Sequence, residues 1–290
     1  MNRLKNNDNP RVTAILCTYG RFSCVERAVN CFLAQSHGNK ELVIYNTDDE
    51  NPYLDRGGRL EAHGILIVNN GRDRVTGLPY TNVGAVRRDA LVFAGGEYVV
   101  TWDDDDIYLP HLMEQALDRI WHTGLPSFKP AMSFFYSGDY LRLVQNTMEA
   151  SVVAKRSKVE EYGYNLETGR EGLAWYTRMR DNRELDENDA HCVPSYCFNW
   201  NDGDTMKAPH KQSGDIDNPE NFEIHKTRST DRVDGRDIEI YGVEKMARVY
   251  EPYFRFLFDH SSEFPDDLFD KYVSRSWDYV ESLVGFSRRS

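Results

Sequence analysis

Short apolar runs alternate with helical stretches through residues 11–105 of the 290-residue chain. Helical periodicity follows the first run, with Val25, Val29 and Phe32 on one face, and it returns later behind Asn82, a predicted N-cap. The predicted strands are residues 11–18, 41–45, 65–68 and 98–102. This alternation predicts an α/β fold, a Rossmann-like and mostly parallel sheet with helices on both faces.

Three polar stretches each follow one of these predicted strands directly. They are Thr18–Arg21, Asn46–Glu50 and Asp103–Asp106. The carboxyl ends of parallel strands gather along one edge of a sheet, and ligands bind in the crevice there. We therefore expect the three stretches to meet and to form a binding site.

The stretch TWDDDDIYLP, residues 101–110, contains four consecutive aspartates. Neighbouring carboxylates repel one another and burial raises the cost, so such a cluster needs water or a cation to relieve it. In an extended backbone Asp103 and Asp105 would face one way, and such a pair suits a hard divalent cation such as Mg²⁺ or Mn²⁺. The alternative is a solvated acidic turn in which Asp106 caps the following helix.

The second half of the chain predicts a mixed sheet that continues the first one, followed by C-terminal helices. Residues 201–221 are too polar and too rich in Gly and Pro for a core element, which indicates a long loop that could act as a lid. We divide one continuous domain into residues 1–125 and 126–290. The predicted strands of the second half are Ala131–Phe135, Leu141–Val144, Ser151–Ala154 and Val193–Trp200.

The charge of the chain restricts its partners. A net charge of −12 disfavours sequence-independent binding to nucleic acid or to anionic membranes, because a polyanion would be repelled. There is no run of about 18 apolar residues and no apolar core of a signal peptide at the N-terminus. We expect a cytoplasmic protein without membrane insertion.

Three segments in this order resemble the family-two glycosyltransferases of the GT-A fold: VTAILCTYGR, KELVIYNTDDEN and NVGAVRRDALVFAGGEYVVTWDDDDIYLP. The resemblance covers residues 11–115. It implies transfer of a sugar from a nucleotide-diphosphate donor, UDP-linked, to an acceptor hydroxyl with inversion at the anomeric carbon. It also implies a Mn²⁺ or Mg²⁺ ion that bridges the two phosphates of the donor. By this resemblance, residues 1–125 bind the nucleotide sugar and residues 126–290 form the acceptor side.

The same resemblance implies roles for individual residues. Asp103 and Asp105 take the positions of the two metal-binding aspartates. Gly20 stands where the family has Asn, and Arg87 precedes Arg88 where the family has Ala. For Arg87 an exposed helix face is an equally good interpretation. The residues implied to contact the donor are Thr18, Tyr19, Arg21, Asp48 or Asp49, Arg88 and Asp104.

In the second half the resemblance rests on single residues. Glu171 precedes Trp175 in GREGLAWY, a setting similar to that of the catalytic base, which would deprotonate the acceptor hydroxyl. His210, in APHKQSG, resembles a histidine that completes the metal shell, and His225 is the second candidate.

Two other functions are compatible with the sequence. A nucleotidyltransferase shares the acidic metal site, but it normally has a Gly-rich phosphate loop after the first strand, and CTYGR is not such a loop. A non-catalytic module that binds nucleotide sugars is the third possibility. The acceptor stays open between a glycan, a small molecule, a protein and a modified base in phage DNA.

Overall fold

A computed structural model describes residues 9–136, 140–166, 173–187, 191–199 and 237–284. The described strands are β1 (Val12–Thr18), β2 (Lys40–Asn46), β3 (Ile65–Asn69), β4 (Tyr98–Thr101), β5 (Ile107–Tyr108), β6 (Ser127–Phe128), β7 (Met132–Tyr136), β8 (Leu141–Gln145), β9 (Val153–Lys155), β10 (Leu185–Asp186) and β11 (Tyr196–Asn199). The described α-helices are α1 (Phe22–Leu33), α2 (Val83–Leu91), α3 (Leu112–Thr123), α4 (Arg156–Tyr162), α5 (Leu173–Asp181), α6 (Val243–Asp259), α7 (Asp266–Leu268) and α8 (Arg275–Val284).

A seven-stranded sheet forms the centre of the molecule, in the order β10-β6-β9-β4-β1-β2-β3. The four strands β4, β1, β2 and β3 are parallel to one another, while β9 is antiparallel to both β4 and β6. The predicted parallel sheet is confirmed. Because β6, β9 and β10 lie beyond residue 125, both halves of the chain contribute strands to this one sheet.

Side chains of β1 alternate between two apolar layers, as expected for a strand that is buried on both faces. Ala14 and Leu16 pack in the layer that contains Val29 of α1. Ile15 packs in the layer that contains Val86 of α2. The prediction that helices cover both faces is therefore confirmed.

A second, four-stranded sheet has the order β5-β11-β7-β8 and is mixed, since β11 runs parallel to β7 and antiparallel to β5. The C-terminal helices cover it: Tyr253 and Phe256 of α6 lie 5.4 and 5.5 Å from the ring of Phe134 in β7. The expected mixed sheet and helical C-terminal region are both present. Strands of the second half thus divide between the central sheet and this separate one.

Helix α2 begins as the sequence predicts, because the Asn82 side chain accepts a hydrogen bond from the Ala85 amide at 2.8 Å. Among the described helices, none is both long enough and apolar enough to cross a bilayer. The predicted loop at residues 201–221 lies outside the described residues.

Candidate active site

The strand order reverses at β1, because β2 and β3 lie on one side of β1 and β4 lies on the other. Helices α1 and α2, which follow β1 and β3, pack on opposite faces of the sheet. In open α/β sheets such a switch point opens a crevice at the carboxyl ends of the strands. All three predicted polar stretches lie at this edge. The Thr47 amide donates to the Thr18 carbonyl at 2.9 Å, and the Thr18 hydroxyl donates to Asp104 Oδ2 at 2.8 Å. The predicted convergence is confirmed.

Arg21 reaches across the crevice from β1 to the aspartates after β4. Its Nη1 lies 3.0 Å from Asp104 Oδ1, and its Nη2 lies 3.0 Å from Asp105 Oδ2. Gly20 sets up this turn with a left-handed φ of 60°. Glycine and asparagine are the residues that adopt this conformation most readily, which gives a backbone reason for Gly where the resembling family has Asn.

Asp104 is the most deeply buried of the first three aspartates. Burial raises the pKa of Asp104 to about 6, although the Arg21 guanidinium and the Thr18 hydroxyl favour the ionised carboxylate. Asp104 therefore depends on these two partners for its charge.

Asp103 pairs with a different arginine. Its Oδ1 lies 2.7 Å from Arg87 Nη2, while Arg87 Nη1 lies 3.1 Å from Oε1 of Glu149. The Arg87 side chain is only 6% exposed, so the interpretation of Arg87 as an exposed surface residue is wrong. Helix α2 turns this face toward the strand ends, where the short helical turn Glu149–Ser151 supplies the second carboxylate.

Asp106 holds the aspartate segment against the second sheet. Its Oδ1 accepts from the Asn199 amide at 3.0 Å, and its Oδ2 accepts a short hydrogen bond from the Tyr196 hydroxyl. The solvated turn with Asp106 as a helix cap is therefore wrong. Helix α3 starts after His111 without any side-chain cap.

The expected alternation of the four aspartates is also wrong, since Asp104 and Asp105 share Arg21 while Asp103 pairs elsewhere. The backbone turns instead of continuing as a strand: the Asp106 amide points at the Asp103 carbonyl at 3.4 Å.

The two candidate aspartates after β2 have different surroundings. Asp48 is buried and holds its own turn, because it accepts from the Glu50 amide at 3.1 Å and from Asn51 Nδ2 at 2.9 Å. Asp49 is exposed and accepts from the Gly71 amide at 2.7 Å, which ties the ends of β2 and β3 together. Of the two, Asp49 is the one that solvent reaches.

Two other residues that are candidates for contact with the nucleotide-sugar donor lie at the edge of the sheet. Tyr19 is half-buried between Thr18 and the turn at Gly20. Arg88 pairs with Asp73 at 3.0 Å and with Asp89 at 2.8 Å, rather than with the four aspartates. The arginine that contacts the aspartate segment from α2 is thus Arg87.

Glu171, His210 and His225 lie outside the described residues, so their roles stay predictions. The structure adds residues that the sequence did not indicate: besides Glu149 and Tyr196, Arg27 Nη2 donates to the Asp105 carbonyl at 3.0 Å. These contacts join residues far apart in the chain, and no local pattern marks them.

The carboxylates suit a hard cation, although arginines now separate them. Within the described ranges, no three His, Cys, Asp or Glu side chains come together in a group that could hold a metal ion. Asp103 is nevertheless one-third exposed and uses only Oδ1 for Arg87. A Mg²⁺ or Mn²⁺ site can consist of one or two protein carboxylates, because phosphate oxygens and water supply the remaining ligands. The residues therefore fit such an ion.

The chain belongs to a family of sugar-transferring enzymes. Residues 13–199 match the family described as Glycosyl transferase family 2. This range exceeds half of the 290 residues, so the protein is a member of glycosyl transferase family 2 and a glycosyltransferase. The match also extends well beyond residue 115, where the recognisable sequence motifs end.

Solved structures with the same fold include two of S. aureus TarS 1–349. The complex with UDP has a TM-score of 0.54 and 14% identity, over 69% of this chain and 68% of that one. The complex with UDP-GlcNAc has a TM-score of 0.52 and 13% identity, over 94% of this chain and 81% of that one. Such identities show a shared fold. No curated protein sequence matches this chain.

Proposed function

We propose that this glycosyltransferase moves a sugar from a UDP-linked donor to an acceptor hydroxyl, with inversion, and that it uses a Mn²⁺ or Mg²⁺ ion at Asp103 and Asp105. The observation that carries the proposal is the junction of two strand ends at the switch point. Thr18 and Arg21 of the β1 end contact Asp104 and Asp105 of the β4 end at 2.8 and 3.0 Å.

The β1 and β2 ends would bind the nucleotide. Thr18, Tyr19 and Arg21 would form one side of the crevice, and the exposed carboxylate of Asp49 lies at the neighbouring strand end. Asp49 suits recognition of a base edge better than Asp48, because the carboxylate of Asp48 is buried in its own turn. The UDP and UDP-GlcNAc in the TarS complexes support a uridine nucleotide.

The aspartates would bind the diphosphate end of the donor through the ion. A divalent cation there would stabilise the charge that develops on the leaving diphosphate as the glycosidic bond breaks. Asp103 presents a partly exposed carboxylate to this region, and Arg87 fixes its orientation. Arg88, held by Asp73 and Asp89, would support the loop between β3 and α2 at the rim of the crevice.

The acceptor side would be supplied by residues 126–290. Glu171 would accept the proton of the attacking hydroxyl, and His210 would complete the metal shell. Membership in glycosyl transferase family 2 favours this reaction over nucleotidyl transfer and over a non-catalytic module.

Nucleotide-dependent thermal stabilisation tests the donor and the metal together. Melting temperatures would be measured with UDP-, GDP-, CMP- and dTDP-sugars, each with and without Mn²⁺. A ligand at a hundred times its Kd stabilises the folded state by about 2.7 kcal/mol, which such a scan resolves. We expect stabilisation by UDP-sugars only when Mn²⁺ is present.

Two variants separate the metal site from general charge effects. Asp105→Asn should abolish the Mn²⁺-dependent stabilisation. Asp118→Asn is the matched control, because Asp118 also forms an ion pair, with Lys271 at 2.7 Å, but lies in α3 rather than in the aspartate segment. Equal stabilisation with and without metal, or an unchanged response of Asp105→Asn, would show that the metal assignment is wrong. Glu171→Gln should keep donor binding and lose transfer.

A further inference from the structure

Arg21 holds two adjacent aspartates with separate nitrogen atoms. Nη1 pairs with Asp104 and Nη2 with Asp105, both at 3.0 Å, and the Arg21 side chain is 8% exposed. A fixed fork of donors that is shielded from water forms strong, oriented contacts with carboxylates. In this state one oxygen of a proposed metal ligand, Asp105, is occupied by a cation that belongs to the protein itself.

The two halves of this fork differ in their surroundings. Asp104 is buried and also accepts from the Thr18 hydroxyl at 2.8 Å, so it is fixed from two sides. Asp105 is less buried than Asp104, and its carboxylate lies nearer to solvent. Arg21 can therefore release Asp105 and keep its contact with Asp104. Nη2, which also lies 3.9 Å from Cys24 Sγ, would then be a charged donor without a carboxylate partner, in a crevice proposed to receive a diphosphate.

We infer that Arg21 competes with the divalent ion for Asp105 and thereby makes metal binding depend on the nucleotide. Without a nucleotide, a metal ion has to displace Nη2 from Asp105 and leave a shielded guanidinium partly unpaired, so it binds weakly. With a nucleoside diphosphate, the phosphate oxygens can accept the released Nη2–H, and both ligands bind more tightly. By thermodynamic linkage the metal strengthens nucleotide binding by the same factor. The inference rests on the metal site of the proposed function.

A pair of variants isolates the competition. Arg21→Met alone would leave the carboxyl group of Asp104 buried without its cation, which destabilises the fold. We therefore compare Asp104→Asn, in which Arg21 still holds Asp105, with the double variant Asp104→Asn/Arg21→Met. The two proteins differ only in the competing guanidinium.

The readout is the binding of Mn²⁺ to each protein. It is measured from the loss of the electron paramagnetic resonance signal of the free ion. Without UDP, we expect the double variant to bind Mn²⁺ about tenfold more tightly than Asp104→Asn, as for loss of one charge-assisted contact. Saturating UDP should tighten Mn²⁺ binding strongly in the wild type and in Asp104→Asn, and much less in the double variant.

Equal or weaker Mn²⁺ binding by the double variant would overturn the inference, because Arg21 would then support the ion or be indifferent to it. That result would leave the metal site itself intact. If instead the wild type bound no Mn²⁺ at all, with or without UDP, the metal assignment of the proposed function would fail and the inference with it. The two failures are therefore distinguishable in one titration series.

Discussion

Replacement of Arg87 by methionine removes the cation that lies between Asp103 and Glu149. Arg87 is 6% exposed, and its two terminal nitrogens lie 2.7 Å and 3.1 Å from the two carboxylates. Methionine fills much of the same space without charge. The two acids then lose their common partner and repel each other, so the folded state should be destabilised.

The exposure of the partners sets the size of this loss. Breaking a buried ion pair by removing one partner costs about 3–5 kcal/mol. Asp103 and Glu149 keep 33% and 21% of their side-chain surface exposed, so water replaces part of the interaction. We expect the lower end, about 3 kcal/mol. Arg88→Met is the matched control, since Asp89 keeps its hydrogen bond from Tyr80 at 2.7 Å, and it should cost about 1 kcal/mol.

Urea unfolding of the wild type, Arg87→Met, Arg88→Met, Asp103→Asn and the double variant Arg87→Met/Asp103→Asn measures these quantities. The double-mutant cycle should give a coupling energy between Arg87 and Asp103 of about 1 kcal/mol or more. If Arg87→Met lost no more stability than Arg88→Met, or if the two changes in the cycle were additive, the argument from buried charge would be refuted.

Two further predictions concern the framework around the site. His111 is buried with Nε2 3.1 Å from the Pro194 carbonyl, and burial lowers the pKa of His111 to about 4. Because the unfolded chain takes up this proton first, the free energy of unfolding should fall by about 3 kcal/mol as the pH drops from about 6.5 to about 4. His111→Gln should flatten this part of the urea-derived pH profile, and His122→Gln should not; an unchanged slope in His111→Gln would contradict the assignment. Gly96→Ala would bring a Cβ within 2.8 Å of backbone atoms at the start of β1 and should cost about 1–3 kcal/mol, whereas Gly38→Ala, with nothing within 4 Å, should be nearly neutral. Equal melting temperatures for the two alanine variants would rule out this steric account.

The central part of the fold could be predicted because its signals are local. Short apolar runs mark β1 to β4, and Asn82 marks the start of α2 in both sequence and structure. Polar stretches that follow parallel strands must meet at one edge, so the site position followed from strand direction alone. The aspartates that the sequence singled out lie at that edge.

The pairing of charges within the site could not be predicted. The sequence favoured Arg88 as a donor contact, but Arg87 is the residue that contacts Asp103, because the rotation of α2 against the sheet decides which of two neighbours points inward. The role of Asp106 depends on Tyr196, which lies 90 residues further along the chain.

The amino-acid sequence by itself determined the α/β class, the parallel core and the edge at which the aspartates gather. Apolar runs and helical periodicity are properties of short segments, and the alternation of strands with helices makes neighbouring strands parallel. Only the tertiary structure decided that two arginines divide the first three aspartates between them and that Asp106 faces the second sheet. The physical reason is that the pairing of charged side chains depends on the distances between them and on their burial. Both are set only when segments far apart in the chain pack together.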